Sequence, residues 1–109
     1  MNALKNKVQL IGHVGQEPEI KNFDGKKLAN ISIATNEVYT NQKGEKVEQT
    51  TWHRVTAWGK TAEIIEKYVN KGKEVAIEGK LSNRSYDDKD GNKRYVTEVI
   101  ANEILLIGK

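Results

Sequence analysis

Runs of alternating hydrophobic and polar residues are the main pattern of this chain, and they predict β-strands. The clearest run covers residues 28–35, with the sequence LANISIAT. Because successive side chains of a strand point to opposite faces, one face of such a run can enter a core while the other meets solvent. Comparable runs at residues 5–14, 50–58, 74–86 and 95–107 predict four more strands.

One segment has helical rather than strand spacing. A stripe of apolar side chains within residues 61–70 predicts a helix, and Gly72 is placed to end it in a left-handed conformation. The polar stretch 36–47 is interpreted as a long hairpin loop, and residues 87–92 as a hairpin tip built on an Asp-Gly turn. Residues 17–22 are expected to continue the first strand beyond a glycine-marked bend.

The order of these elements indicates a fold class. Five short strands with a single helix after the third match a mainly β fold, the five-stranded OB-fold Greek-key barrel. A doubly wound α/β fold would need a helix in nearly every connection between strands, and the pattern predicts only one. With 109 residues and no linker-like segment, the chain is expected to form one domain over residues 1–109.

Composition narrows the possible functions. Hydrophobic residues make up 37% of the chain and charged residues 30%, as in an ordinary soluble protein, and the sequence shows no signal peptide or membrane-length apolar run. The absence of cysteine excludes disulfides and thiolate chemistry and fits a cytoplasmic location. A net charge of +3 and an isoelectric point near 9.1 permit binding to a polyanion without requiring it.

The sequence around residue 54 carries the strongest sign of function. Arg54 lies two positions after Trp52 and four positions before Trp58, so a strand projects all three side chains from one face. Thr56 shares that face, and Val55 points to the other, where a core would lie. A tryptophan in a strand is most often a core residue, but burying an unpaired arginine between two indoles is costly. We therefore favour an exposed platform of π surfaces and a cation, which suits the bases and phosphates of an unpaired nucleic acid strand.

Tyr39 and Tyr86 are candidates to extend this surface. Each flanks a polar hairpin, and Tyr86 shares a strand face with Arg84. Tyrosines can also pair across strands and stabilise a hairpin, as Tyr86 and Tyr95 could do, and the two interpretations are compatible. Basic residues that could neutralise phosphates, each with solvated surface charge as the alternative, are Lys7, Lys43, Lys60, Lys71, Lys73 and Arg84.

Motifs of catalysis are incomplete in this sequence. Gly59-Lys60-Thr61 resembles the end of a phosphate-binding loop, but Arg54 stands where the required upstream glycine would be. Two histidines make a multi-histidine metal site improbable, and no local context supports a nucleophile. We therefore expect a binding protein that is not an enzyme and that holds no metal or cofactor.

Longer stretches of the sequence resemble a known family. They are NKVQLIG at residues 6–12, LANISIAT at 28–35, QTTWHRV at 49–55 and RYVTEV at 94–99. In order, spacing and chemistry the chain is similar to the bacterial single-stranded DNA-binding proteins over residues 6–104. The resemblance implies an OB-fold assembled as a homotetramer, a dimer of dimers around which single-stranded DNA wraps. It also implies sequence-independent protection of that DNA in replication, recombination and repair.

The resemblance implies roles for individual residues as well. The base-stacking aromatics of the family fall on Tyr39, Trp52, Trp58 and Tyr86, which are expected to form one aromatic track. The position of His53 lies at a subunit interface in the family, which agrees with its pointing away from the tryptophans. The family's backbone-contacting cations fall on Lys7, Lys43, Arg54, Lys60, Lys71, Lys73 and Arg84.

Two expectations concern protein partners. Most relatives continue into a disordered tail whose acidic tip recruits other proteins, whereas this sequence stops at Lys109. The chain is therefore expected to be a shortened or tail-less relative. Replication and repair proteins are candidate partners, but their recruitment through such a tail is not expected. The alternative function is an OB-fold module that binds protein, of the primosome type.

Overall fold

Six strands and one helix make up the part of the chain that the structure describes, residues 5–108 of a computed structural model. In chain order they are β1 (Val8–Val14), β2 (Glu19–Phe23), β3 (Lys26–Thr40), β4 (Lys46–Trp58), α1 (Gly59–Tyr68), β5 (Glu74–Asp87) and β6 (Lys93–Ile107). The domain expected over residues 1–109 also includes residues 1–4 and 109, which lie outside the described residues. Within residues 5–108, no helix has the length and apolar character needed to cross a membrane.

The strands form one sheet that closes on itself. Hydrogen bonds order them β1-β5-β6-β4-β3-β2, and β1 pairs a second time with β3. All pairings are antiparallel except that of β4 with β6. The extra pairing closes β1, β3, β4, β5 and β6 into a barrel, and α1 lies between the third and fourth of these strands. The five-stranded OB-fold barrel expected from the sequence is confirmed.

Closure depends on a close approach of β1 to β3 at Gly12. A Cβ atom at this position would lie 2.2 Å from the backbone oxygen of Ala34, well inside van der Waals contact. In the adjoining ladder His13 stands opposite Ala34, and Val14 stands opposite Ile33. Because glycine alone lacks a Cβ atom, the bend expected in this part of the sequence is where the barrel closes.

The barrel interior is filled by the inward faces of the alternating runs. On β3 and β4 the buried hydrophobic residues are Ala29, Ile31, Ile33, Val55 and Ala57. The helix packs against β3, β4 and β6 and adds Ala62 and Ile65 to the same core. Burying a valine or isoleucine side chain contributes about 1.5–3 kcal/mol, so the alternation seen in the sequence is also the main driving force for folding.

The helix is displaced from its predicted range of 61–70. It spans Gly59–Tyr68, and Val69 already has an extended backbone (φ −105°, ψ 126°) with its side chain in the core. The prediction that Gly72 ends the helix is therefore wrong. With φ of 89°, Gly72 instead forms the turn into β5, and its N–H donates to the backbone oxygen of Val14 at 2.7 Å.

Several predicted strand boundaries are also wrong. β1 begins at Val8 rather than at residue 5, and residues 17–22 do not continue it, because β2 is a separate strand in a hairpin with β3. Most of the stretch 36–47 is strand rather than loop, since β3 and β4 stay paired out to Thr40 and Lys46. Both faces of this arm meet solvent, so its strands carry no hydrophobic alternation that the sequence could reveal.

The two long hairpins end in loops of the same kind, residues 41–45 and 88–92. In the first, Asn41 Oδ1 accepts hydrogen bonds from the backbone N–H groups two and four residues later, at 2.9 and 3.0 Å. In the second, Asp88 Oδ1 accepts the equivalent bonds, both at 2.9 Å. The hairpin tip predicted at residues 87–92 is therefore present, but the Asp88 side chain shapes it rather than a two-residue Asp-Gly turn.

Candidate nucleic-acid interface

The outer surface of β4 exposes two tryptophans beside an arginine. Trp52 is 61% exposed and Trp58 is 41% exposed, and Arg54 between them is also exposed. Val55, on the opposite side of the strand, is fully buried. The predicted exposed surface is confirmed, and the alternative in which the tryptophans are core residues is wrong.

Thr56 lies on the same side of β4 but is buried. It is 5% exposed, because Glu98 of β6 and Asn30 of β3 cover it with oxygen atoms 2.8 and 3.0 Å from its hydroxyl. A hydroxyl has a single O–H group and a carboxylate oxygen accepts hydrogen bonds, so the Thr56 hydroxyl donates its hydrogen bond to Glu98. The tryptophan face is therefore interrupted at its centre by a buried polar contact between three strands.

Glu98 also fixes the position of Arg84 on β5. The Arg84 Nε donates to Glu98 Oε1 at 3.0 Å, and the carboxylate side chain is 7% exposed while that of the arginine is 54% exposed. A buried carboxylate is tolerated only when its hydrogen bonds are made, and Thr56 and Arg84 supply them. The guanidinium consequently stands at the surface in a fixed orientation, with its other N–H groups available to a ligand.

A polar groove joins the two arginines. It is lined by Arg54, Arg84 and Lys21 of β2, and by the acidic side chains of Glu17 and Glu19. Three cations face two carboxylates there, so the groove offers positive groups to phosphates without being uniformly basic. Binding of a nucleic acid strand along this groove would depend more on where each cation lies than on a strong positive electrostatic potential over the whole groove.

The indole of Trp52 rests on Gly15, in the connection between β1 and β2. A Cβ atom at Gly15 would lie 2.2 Å from Cζ3 and 2.8 Å from Cη2 of the indole. The Gly15 N–H donates to the backbone oxygen of Ser32 at 2.9 Å, which fixes this connection against β3. The backbone thus supports the indole edge while most of the ring surface stays in solvent.

The connection between α1 and β5 brings two predicted cations to the neighbourhood of Trp52. The Lys71 backbone N–H donates to Glu17 Oε1 at 2.9 Å, and the Val14 N–H donates to the backbone oxygen of Lys73 at 2.9 Å. These two anchors flank the glycine on which the indole rests. The backbone of Lys71 and Lys73 therefore lies beside the segment on which the Trp52 indole rests.

The other predicted lysines are spread more widely. Lys60 lies in the first turn of α1, two residues after Trp58, and Lys43 lies at the tip of the β3–β4 hairpin. Lys7 pairs with Glu78 at 3.3 Å, and this contact holds the pKa of Glu78 below its usual range. Glu78 lies on the outer surface of β5 beside β1, so the ion pair holds Lys7 away from the tryptophan face.

Tyr39 and His53 lie on the other side of the β3–β4 hairpin from Trp52. The two strands pair in continuous register, in which Tyr39 stands opposite Val47 and Trp52 stands opposite Ala34. Alternation along β3 then places Tyr39 on the side of His53, and the His53 ring is held there by a Thr35 hydroxyl 3.0 Å from Nε2. Because Tyr39 and Ala34 are five positions apart on β3, Tyr39 does not share a face with Trp52, and a track that includes both aromatics has to pass around the hairpin.

Tyr86 shares the face of Arg84, as predicted. It stands opposite Arg94 in the β5–β6 ladder, so the suggested direct pairing with Tyr95 does not occur. Arg94 Nε donates to Asp88 Oδ2 at 2.8 Å, and this bond, with the N–H groups of the loop, lowers the pKa of Asp88. The arm that carries Tyr86 is therefore fastened at its tip.

Two residues on the tryptophan face were not predicted from the sequence. Lys21 of β2 stands opposite Leu28 of β3, and Leu28 stands opposite Trp58 of β4 on its other side. Phe23, two residues further along β2, points to the same side and lines grooves together with Trp58. The available signal was the alternation within residues 19–23, but a segment assigned to the first strand could not be placed beside β3.

Proteins of known family resemble this chain over nearly its whole length. A family model described as the single-strand binding protein family matches residues 5–107. Single-stranded DNA-binding protein 1 of Chlorobaculum tepidum is 44% identical over 94% of this chain, which spans 65% of that protein. Single-stranded DNA-binding protein 1 of Xylella fastidiosa is 42% identical over 98% of this chain, which spans 80% of that protein.

Solved structures share the fold as well. The Plasmodium falciparum SSB, determined in complex with single-stranded DNA, superposes with a TM-score of 0.88 at 33% identity, covering 94% of this chain and 95% of that one. A deletion mutant of the single-stranded DNA-binding protein from Thermus aquaticus gives a TM-score of 0.83 at 29% identity, covering 94% and 50% respectively. These similarities include the strands that carry the tryptophan face.

Proposed function

The chain belongs to the single-strand binding protein family, and we propose that it binds and protects single-stranded DNA, independently of sequence, in replication, recombination and repair. The observation that carries this proposal is the outer face of β4, with Trp52 and Trp58 exposed beside Arg54. The DNA-bound state of the Plasmodium protein, which has the same fold, supports the same ligand.

Stacking on aromatic rings explains how such binding ignores sequence. Every base has a π face, so a base of any kind can stack on Trp52, Trp58 or Tyr86, each stack contributing about 1–3 kcal/mol. Arg54 and Arg84 would neutralise phosphates between the stacked bases, and the bond to Glu98 orients the second of them. In a duplex the base faces are stacked on one another, so only the phosphates of a duplex could contact this surface.

Comparison of single- and double-stranded oligonucleotides of equal length tests the proposal. We expect much tighter binding to the single strand, with an affinity that falls as salt is added. If three cations of the groove each displace a counterion, the slope of log affinity against log salt is about −2. Fluorescence quenching titrations measure both quantities, and equal affinity for the two forms would contradict the proposal. The labelled oligonucleotide is expected to stay intact with magnesium, because we propose binding without catalysis.

The position of Tyr39 bears on the path of the DNA. Because it lies on the opposite side of the hairpin from Trp52, a strand that contacts both must pass around the hairpin or reach a second subunit. A wrapped path satisfies this condition, and a straight path along one face does not. The base-stacking role proposed for Tyr39 is therefore tied to wrapping and to assembly.

The edge of β1 is suited to pairing with a second copy of the chain. β1 bonds to β5 along residues 8–13, but to β3 only at His13 and Val14. Among the described residues, no strand pairs with the other edge of residues 8–12. An exposed strand edge is a template for another strand, so antiparallel pairing of two β1 strands would give a twofold dimer.

An apolar row beside this edge supplies a second contact. Ile11 of β1, Ala76 of β5 and Leu105 of β6 stand opposite one another on the outer surface, where Ile11 is 62% and Leu105 is 66% exposed. Stacking of two such surfaces would bury the row, and with edge pairing it gives the proposed homotetramer, a dimer of dimers. In this assembly we place His53 at a subunit contact.

The support of Trp52 by Gly15 gives a prediction that removes no DNA-contacting group. In Gly15→Ala the new methyl overlaps the indole, so the ring must swing away and single-stranded DNA affinity should fall about fivefold. In a Trp58→Phe background, the emission of Trp52 reports the displacement. Gly108→Ala is the control for backbone strain without indole contact, because its Cβ meets nothing within 4 Å while its φ of 74° strains an alanine. An unchanged spectrum together with unchanged affinity would show that the glycine is not needed.

A further inference from the structure

A further exposed aromatic ring stands beside Trp58, at the end of β2. Phe23 is 62% exposed. Only β3 separates β2 from β4, and Leu28 of β3 faces Lys21 on one side and Trp58 on the other. Because Phe23 follows Lys21 by two residues, it leaves the sheet on the same side as Trp58. The strands that carry the two rings are about 10 Å apart, twice the spacing of neighbouring strands.

Phe23 and Trp58 line two grooves together. In the first they are joined by Asp24 and Lys26 of the β2–β3 hairpin, and Lys21 is among the residues of the second. The space between the rings is thus bounded by two π surfaces and lies within reach of two ammonium groups. Two carboxylates, those of Asp24 and Glu98, oppose them, and Lys21 also pairs with Glu19 at 3.7 Å. This is the combination of ring and cation that β4 shows around Arg54.

A purely structural role for Phe23 would explain its exposure but not its position beside Trp58. Single exposed hydrophobic residues are common on proteins, and a phenylalanine opposite Lys26 can steady a hairpin by covering its aliphatic stem. Either explanation would apply equally to a phenyl ring on the other face of the hairpin. Neither accounts for its position on the tryptophan face, sharing both grooves with Trp58.

We propose that Phe23 is an additional base-stacking residue, so that the DNA track continues past Trp58 to the β2–β3 hairpin. The base beyond the one held at Trp58 would stack on Phe23, with Lys21 and Lys26 near its phosphates. The site takes a nucleobase of any kind, because a phenyl ring offers no hydrogen bonds that could select one. This inference rests on the proposed function and adds one position to its binding surface.

The first experiment measures affinity for oligo(dT) in the Phe23→Ala variant. We expect a loss of about fivefold to tenfold, at the lower end of base stacking because the ring is small and the site lies at the edge of the face. Phe23→Trp is expected to restore or exceed the parent affinity. Tyr95→Ala is the control, since Tyr95 is 75% exposed on the other side of a hairpin and lies outside the proposed track.

The second experiment places a reporter at the site itself. The two native tryptophans are replaced by Trp52→Phe and Trp58→Phe, which preserve aromatic rings, and Phe23→Trp then supplies the sole indole. Saturation with oligo(dT) is expected to quench its emission, as stacking on a base does. Melting curves of every variant show whether the fold is intact, and because Phe23 is an exposed residue we expect them to match the parent.

The outcomes separate this inference from the function on which it rests. If the parent binds oligo(dT) while Phe23→Ala binds as well as Tyr95→Ala, and the indole at position 23 is not quenched, Phe23 is not a stacking residue. If the parent fails to bind oligo(dT), the proposed function is overturned and this inference with it. Weaker binding by Phe23→Ala, with quenching at position 23, supports the inference.

Discussion

The Ile11→Lys variant is expected to lose the proposed tetramer and to bind long single-stranded oligonucleotides about 100- to 10,000-fold more weakly than the parent. In the proposed assembly the exposed Ile11 lies near its twofold mate, so the substitution would bring two ammonium groups together in an apolar interface. Loss of assembly removes the gain in effective concentration that several linked binding surfaces have on one strand.

Light scattering and a series of oligonucleotide lengths distinguish this cause from others. The added lysine by itself would favour DNA, so a loss of affinity has to come through assembly. For an oligonucleotide short enough to occupy one subunit, the variant should bind as the parent does. Tyr68→Lys is the matched control, because Tyr68 is 58% exposed on α1, away from the edge of β1. A variant that stays a tetramer, or a parent that is a monomer at micromolar concentration, would refute the proposed interface.

The Trp52→Ala variant is expected to bind single-stranded DNA about 5- to 150-fold more weakly, the loss of one stacked base, while remaining folded. Because most of the indole already meets solvent, its removal should change the free energy of unfolding by less than about 1 kcal/mol. Binding titrations and thermal melting measure the two quantities on the same protein.

Conservative substitution separates stacking from packing at this position. Trp52→Phe should keep most of the affinity, since a phenyl ring can still stack, whereas Tyr95→Ala should leave it unchanged. Combined with Gly15→Ala, the Trp52→Ala variant should show no further loss, because the glycine acts only through the indole. Additive losses would mean that Gly15 affects binding by a separate route.

Most of the fold could be predicted because its information is local. Burial of Ile31, Ile33 and Val55 needs only that alternate residues of a strand share a face, and each of these residues is in the core. The predictions failed where local patterns carry no such information. The arm of β3 and β4 beyond the barrel has two solvent-facing sides, and β2 is short, so neither shows a pattern that fixes its partner strand.

The candidate site divides in the same way. Trp52, Arg54 and Trp58 lie on one strand, and their exposure could be predicted from their spacing together with the cost of burying Arg54. Lys21 and Phe23 reach the same face from another strand, so only the register of β2 on β3 reveals them. The resemblance to a family supplied the four aromatic positions together, but it does not show that they divide between two sides of a hairpin.

The sequence by itself determined the alternation of strands, the single helix, the solvent-facing tryptophans and the family, because each depends on residues that are near one another in the chain. Only the tertiary structure decided which strands are neighbours. That choice buries Thr56 under Glu98, sets Phe23 beside Trp58 and turns Tyr39 away from Trp52. The physical reason is that hydrogen bonding between distant strands sets their register, and a shift of one residue moves every side chain to the other face.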